Sequence, residues 1–264
     1  MYRKQNAAEL MEEFIETGTY KHLKELIAEK DVLKKTIYQN LIEHEAKRHE
    51  IGFNLVAKFI TKNVYQYNYQ GLNEYLYDRG LLQKVAKLSS TDLKKDQDLI
   101  ELFEPYSIIS DYYVKTTFNR EGREFVKIVE SQVSPLALNE AAKKKRQNMD
   151  HLKAAQSEYD FLKKQMKKCQ RLQLEKKLSH KYGSVSLLQK LVIYDCKKIF
   201  NDRALHHLIE LSKPDMVRLM RYVSRGFGSL NEIDSFRKLI DIQLNLVILD
   251  LDDEAKILSN VYKT

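Results

Sequence analysis

The sequence predicts a mainly α protein with one β-hairpin, and three observations carry that expectation. Eight Gly and three Pro in 264 residues are too few for a turn-rich sandwich or barrel. Apolar residues recur at helical spacing along most of the chain. Charged residues make up 31% against 43% apolar, which suits helices with one face in water and a core beneath the other. The expected organisation is a helical domain over 1–135 with a hairpin at 112–130, a long basic helix over 136–181, and a compact helical C-terminal module over 184–264.

Residues 6–46 read as two or three short helices. Ala8, Leu10, Met11, Phe14 and Ile15 form one apolar stripe, and Leu23, Leu26 and Ile27 a second, with Gly18 between them. Leu33, Ile37, Leu41 and Ile42 continue the pattern. A helix over 51–60 (Phe53, Val56, Ala57, Ile60) is followed by the polar, aromatic run KNVYQYNYQG. The next helix covers 71–82, with Leu72, Tyr75, Leu76 and Arg79 on one face and Gly80 as its C-cap. A further helix is expected over 91–103, capped by Ser90 or Thr91 and stopped by Pro105.

YYVKTTFNREGREFVKIVE, residues 112–130, changes period. NREG reads as a type I turn followed by a left-handed Gly, a bulged hairpin connection. That register pairs Asn119 with Arg123, Val114 with Ile128 and Thr116 with Val126. Those residues and Phe118 share an inner face. The outer face carries Tyr113, Thr117, Phe125 and Val129, with Lys115 opposite Lys127, a like-charge pair that a bound anion would relieve.

Ser134-Pro135 reads as the N-cap and first residue of the long helix. In heptad register Leu138, Leu152, Tyr159 and Met166 fall at a, and Ala141, Ala155, Leu162 and Cys169 at d. Lys145 and Asn148 interrupt that seam early, and Gln173 and Lys176 end it, so the convincing stretch is 152–169. At about 1.5 Å per residue, 136–181 makes either a rod of roughly 65 Å or an antiparallel arm. After the boundary at 180–184, helices are expected over 185–200, 205–211, 216–223 and 236–258. IDIQLNLVI also alternates with period two, as a strand would. Phe236, Leu239, Ile240, Leu244, Val247 and Leu251 share a helical face and assign it to helix.

Catalytic and metal-binding patterns are missing. His44-Glu45 and His49 stand five residues apart, not the four that would put both imidazoles on one helix face. Asp250, Asp252, Asp253 and Glu254 lack the glycine turn of a calcium loop. Gly226-Phe227-Gly228 follows a helix, not a strand, so it is no phosphate loop. Cys169 and Cys196 have neither metal nor disulfide-framework spacing. No cofactor and no enzymatic activity are expected. With no leader or apolar span, the expectation is a soluble cytoplasmic protein that does not enter a membrane.

The net charge of +8 is concentrated. Residues 143–181 hold 13 Lys or Arg against four acids, a surplus of nine, and the rest of the chain sums to about −1. A polyanion is the natural partner for such a segment. Helix, turn, helix and basic hairpin are the parts of a winged helix-turn-helix, in which one helix enters the major groove of duplex DNA. In that reading Asn68, Tyr69, Gln70, Asn73 and Tyr77 reach bases or phosphates. Arg120 marks the wing tip, with Lys115, Arg123 and Lys127 on its outer face. Lys143, Lys144, Lys145 and Arg146 extend the phosphate track, and Arg218, Arg221 and Arg225 make a second basic patch.

IGFNLVAKFITKN, GLNEYLYDRGLL and PYSIISDYYVKTTFNREGREFVKIVESQVSP, within residues 50–136, resemble the C-terminal domain of phage KilA-type antirepressors. The likeness lies in Gly80, in 111–115 and in Gly122. The chain has Val133-Ser134-Pro135 where that family has a Thr-x-x-Gly step, and it inserts SSTDLKKDQDLIELFE. The resemblance implies a phage or prophage regulator that binds DNA or a repressor. The alternative is a helical adaptor or inhibitor that holds a host protein through 136–264 without touching DNA, with 152–169 available as a homodimer seam.

Overall fold

The computed structural model describes residues 6–93, 96–108, 111–128, 136–202 and 205–261. Its first elements are α1 (Ala7–Glu16), α2 (Thr19–Leu41), β1 (Arg48–Gly52), β2 (Leu55–Tyr67), α3 (Tyr69–Asp78), α4 (Leu82–Val85), β3 (Ala86–Ser89) and α5 (Gln97–Phe103). A short 3-10 turn, Glu104–Tyr106, leads to β4 (Ser107–Ile108), β5 (Tyr112–Phe118) and α6 (Arg120–Phe125). Then come α7 (Leu138–Lys167), α8 (Gln170–Glu175), β6 (Lys177–His180), β7 (Gly183–Gln189) and β8 (Ile193–Tyr194). The chain continues through α9 (Cys196–Asn201), α10 (Leu205–Leu211), β9 (Lys213–Pro214), α11 (Met216–Val223), α12 (Leu230–Asp234), β10 (Arg237–Asp250) and α13 (Leu251–Val261). The strands form three sheets, ordered β1-β2-β10, β4-β8-β3-β9 and β5-β7-β6. The protein is therefore mixed α/β, and the mainly α expectation is corrected.

Two compact units emerge, and each is discontinuous in sequence. Unit 1 comprises Met1–Lys62, Tyr113–Leu188 and Leu244–Thr264; unit 2 comprises Asn63–Tyr112 and Gln189–Gln243. The segment read from sequence as one domain over 1–135 enters both units, as does 184–264.

In unit 1, α2 and α7 lie antiparallel. Ile37 and Leu41 share a core with Ala141 and Ala142, and Leu23 and Leu26 pack on Ala155. Further along, Tyr20 meets Tyr159 edge-on at 5.5 Å. Helix α1 starts with a capping box: the Asn6 side chain accepts from Ala8 and Glu9 N–H, and the Glu9 carboxylate accepts from Asn6 N–H. Its Ala7, Met11, Phe14 and Ile15 close over Leu162, Met166 and Leu178. The heptad positions of α7 thus lie inside this chain. Lys145 and Asn148, which break the pattern on paper, are buried with the rest of the seam. The amide of Asn148 donates to Leu26 O at 2.9 Å and to a Glu29 carboxylate oxygen at 2.8 Å. A dimer through 152–169 would have to displace α1 and α2.

The helix expected over 91–103 starts only at Gln97, with Asp96 and not Ser90 or Thr91 as its N-cap, and four further elements differ. The helix over 51–60 is a β1–β2 hairpin with Arg48 opposite Lys58 and Glu50 opposite Val56. Its turn holds Gly52, Phe53 and Asn54 at φ of 84°, 55° and 59°, a run of positive φ that a helix cannot contain. The hairpin over 112–130 is absent among the described residues. β5 pairs with β7 instead, and Asn119 is an N-cap whose Oδ1 accepts from Gly122 N at 2.7 Å. Asn-x-x-Gly there starts α6 rather than turning a hairpin. Gly122 and Gly183 allow this packing, since an added Cβ would lie 2.1 Å from Tyr182 O and 2.0 Å from Thr117 O. The helix over 136–181 ends at Lys167 and passes through α8 into the β6–β7 hairpin, where His180 pairs with Gly183. The C-terminal module is not all helical: 185–200 holds β7, β8 and the start of α9, and 237–250 is β10. The expected Ser134-Pro135 cap and the Val129 position lie outside the described residues. With a strand in place of the helix at 51–60 and no wing strand among the described residues 124–128, the winged helix-turn-helix is corrected too.

The C-terminal α13 is held to the β1–β2 hairpin by Glu254, which bonds Arg48 (2.8 Å) and Lys58. Hydrogen bonds from Arg48 and Lys58 hold its carboxyl down at about 2. No helix of the described residues is long and apolar enough to cross a membrane.

Burial of the Lys145 ammonium, with Lys30 and Lys34 nearby, lowers its pKa to about 8, against opposing contributions from Asp31 and Glu29. A folded-state pKa below the unfolded 10.5 means that stability from this site is complete above 10.5 and lost as pH falls through 8. Lys145→Met should therefore raise stability near neutral pH by about 1–3 kcal/mol. The gain should shrink between pH 8 and 10, read by urea denaturation across that range; a destabilised variant at pH 7 would show that the ammonium is fully compensated.

Candidate nucleic-acid interface

Unit 2 is built around Leu72, Leu76, Leu82, Leu88, Phe103, Ile199, Leu208, Leu219 and Ile233. Helix α11 lies on this core through Leu219, which is fully buried, with Met216, Met220 and Val223 beside it. Those positions follow i, i+3, i+4, i+7; Tyr222 also packs against the core, and Val217, Arg218 and Arg221 face water. Asp215 caps the helix by accepting from Arg218 N at 3.1 Å, and its carboxylate pairs with Lys87 at 2.8 Å.

The outward side of α11 carries Arg218 and Arg221, and Arg225 follows just past its C-cap. All three are exposed, and none has an ion-pair partner among the described residues. This sets them apart from most other arginines. Arg48, Arg79, Arg146, Arg171 and Arg237 each hold a carboxylate. Like charges one turn apart on a helix are unfavourable by a few tenths of a kcal/mol, so the trio gains nothing for the isolated fold. Beside them Phe227 is exposed and meets Tyr222 edge-on at 6.1 Å, while the Lys84 ammonium sits 5.7 Å from the Tyr222 ring centre.

The other sequence-predicted residues separate into several situations. Asn68 is the N-cap of α3, accepting from Gly71 N at 3.1 Å, and Gln70 bonds Glu74 at 3.3 Å. Tyr69 stacks on Tyr67 with ring centres 5.3 Å apart, and Tyr77 is exposed next to Phe200. Asn73 is a correction: it is fully buried and its amide donates to Ile209 O and Ser212 O, both at 2.8 Å. It ties α3 to the end of α10 and cannot reach a base.

In unit 1, Arg120 and Arg123 of α6 are exposed, with no ion pair among the described residues. Lys115 is exposed on β5, and Lys127 lies 4.0 Å from Glu124; with β5 paired to β7, these two lysines do not oppose each other. The expected track over 143–146 does not hold as a unit. Lys143 is exposed and Lys144 lies 3.9 Å from Glu140, but Lys145 is buried. Arg146 is engaged by Asp150 at 3.3 Å and by Asp250.

Sequence reasoning missed Tyr65, Tyr67, Arg237 and Lys238 as a group. The signal was the period-two run NVYQYNY, which places Asn63, Tyr65 and Tyr67 on one face of a strand. No group of His, Cys, Asp and Glu able to hold a metal occurs among the described residues. Burial pushes the Cys196 thiol up to about 11, which keeps it protonated at neutral pH. Comparison with protein-family models, curated proteins and solved structures returns no match.

Asn73→Ala removes the donor for two carbonyls and should cost unit 2 about 1–3 kcal/mol. Urea unfolding should show this as a lowered midpoint. An unshifted midpoint would mean that the carbonyls find another donor.

Proposed function

We propose that this protein binds nucleic acid, gripping the phosphate backbone of duplex DNA through the α11 face of unit 2. The observation that carries the reading is the exposed Arg218 and Arg221 on a helix packed onto the core through Leu219, with Arg225 just past its C-cap, none of the three ion-paired among the described residues. A guanidinium presents a planar fork of donors that matches phosphate oxygens, and each phosphate it neutralises releases a condensed counterion. Two such groups on one helix face and a third just past its C-cap give orientation on the backbone without reading sequence. The exposed Arg120 and Arg123 of unit 1 offer a second basic cluster of the same chemistry. A regulatory role in a phage or prophage rests on the KilA-type resemblance of residues 50–136 alone.

The second reading, a protein-binding adaptor acting through 136–264, has its own observation. Phe161 on α7 and Leu174 on α8 are 61% and 82% exposed, large apolar groups set among basic residues.

Arg218→Gln, Arg221→Gln and Arg225→Gln together should weaken duplex binding. They should also flatten the log–log salt dependence of the affinity by about 3, roughly one per lost phosphate contact. Fluorescence anisotropy of a labelled duplex across a salt series measures both. An unchanged slope, or no duplex binding by the wild-type chain at low salt, would refute the reading.

A further inference from the structure

Four tyrosines of unit 2 belong to its core: Tyr194 is buried, and Tyr75, Tyr106 and Tyr222 pack against the same cluster. Tyr65, Tyr67 and Tyr69 are not part of it. They stand partly exposed where β2 runs into α3. Strand periodicity puts Tyr65 and Tyr67 on one face, and the turn into α3 brings Tyr69 to the end of the row. The Tyr67 and Tyr69 rings lie 5.3 Å apart and only 10° from parallel. Tyr65 meets Tyr67 edge-on at 6.2 Å, and the Asn63 amide donates to the Tyr65 hydroxyl at 3.1 Å.

Cations complete the arrangement. The Arg237 guanidinium lies over the Tyr65 ring, 4.2 Å from its centre, and is held there by Asp234 at 2.5 Å. Lys238 is exposed and has no ion-pair partner among the described residues. Between them an open depression of about 350 Å³ is lined by Gln66, Tyr67, Asn68, Phe236, Arg237 and Lys238. The Asn68 N–H donating to Phe236 O at 2.8 Å fixes the two segments to each other.

We propose that Tyr65, Tyr67 and Tyr69, with Arg237 and Lys238, form a stacking platform for the unpaired bases of a single-stranded nucleic acid. A row of π-faces accepts any base, and adjacent cations follow the phosphates; these are the two components by which single strands are held without sequence preference. A duplex offers such rings no free base face. A neutral ligand would make no use of the guanidinium and ammonium. The inference deepens the nucleic-acid reading by naming the form of the nucleic acid, and it rests on residues other than the α11 arginines.

Anisotropy with the full chain tests it, using a labelled dT oligomer of about 15 nucleotides, an abasic oligomer of the same length and charge, and a duplex. The dT strand should bind at least about tenfold more tightly than the abasic one. Tyr67→Ala with Tyr69→Ala should weaken dT about tenfold and leave the abasic strand unchanged, while Tyr67→Phe with Tyr69→Phe should bind dT as the wild type does. Equal affinity of the wild type for dT and abasic strands overturns the platform whether or not the alanine variant folds, and so does an unaffected alanine variant. Neither result touches duplex binding through α11, whose failure is read separately in the duplex measurement.

Discussion

The antiparallel seam between α2 and α7 is the constraint on which unit 1 depends. Ala141, Ala142 and Ala155 are small enough for the helices to approach closely, and Leu23, Leu26, Ile37 and Leu41 fill the facing grooves. Once that seam is closed, the opposite side of α7 must face water. Its lysines are then the solvated face of a packed helix rather than a free arm. Several of its cations are answered locally, by Glu140, Asp150 and Asp160. The same closure draws Lys145 into the interior among Glu29, Lys30, Asp31 and Lys34.

Net charge along a sequence and charge available to a ligand are different quantities. The segment 143–181 carries the surplus, yet an ammonium on a flexible stem or in an ion pair adds little orientation to an encounter. The arginines of α11 and the turn after it are fewer, but the helix is anchored by Leu219 and none of them is ion-paired among the described residues. Arg237 differs again: Asp234 and the Tyr65 ring already fix its plane, so it is ordered for stacking before any ligand arrives.

The sequence made the helices legible and hid the strands. Apolar stripes placed α1, α2, α3 and much of α7 because each packs one face on a core, and the 3.6 period records that directly. The strands failed for local reasons. LVAKFI in β2 is buried at Leu55, Val56, Ala57 and Phe59, a run that helix and buried strand share. β10 is mostly exposed over 238–245, so its period-two pattern had no buried face to favour strand over helix. β5 pairs with a strand about 70 residues away in sequence, and nothing local announces a partner at that distance. Of the site, the arginine spacing on α11 was readable because both the helix and its core face were. The burial of Asn73 and Lys145 was not, since each depends on carbonyls or charges from distant segments. The tyrosine row was visible as composition, and its ring contacts emerged only when KNVYQYNYQG proved to be strand running into helix.

The central claim is that unit 2, and not the basic helix of unit 1, carries the nucleic-acid surface. Hydrogen–deuterium exchange of the full chain, with and without saturating single-stranded and duplex DNA, tests it most directly. Slowed exchange should map to 216–227 with duplex and to 63–70 with single strand, leaving 143–168 unchanged. Protection confined to 143–168, with neither unit 2 segment affected, would contradict the account.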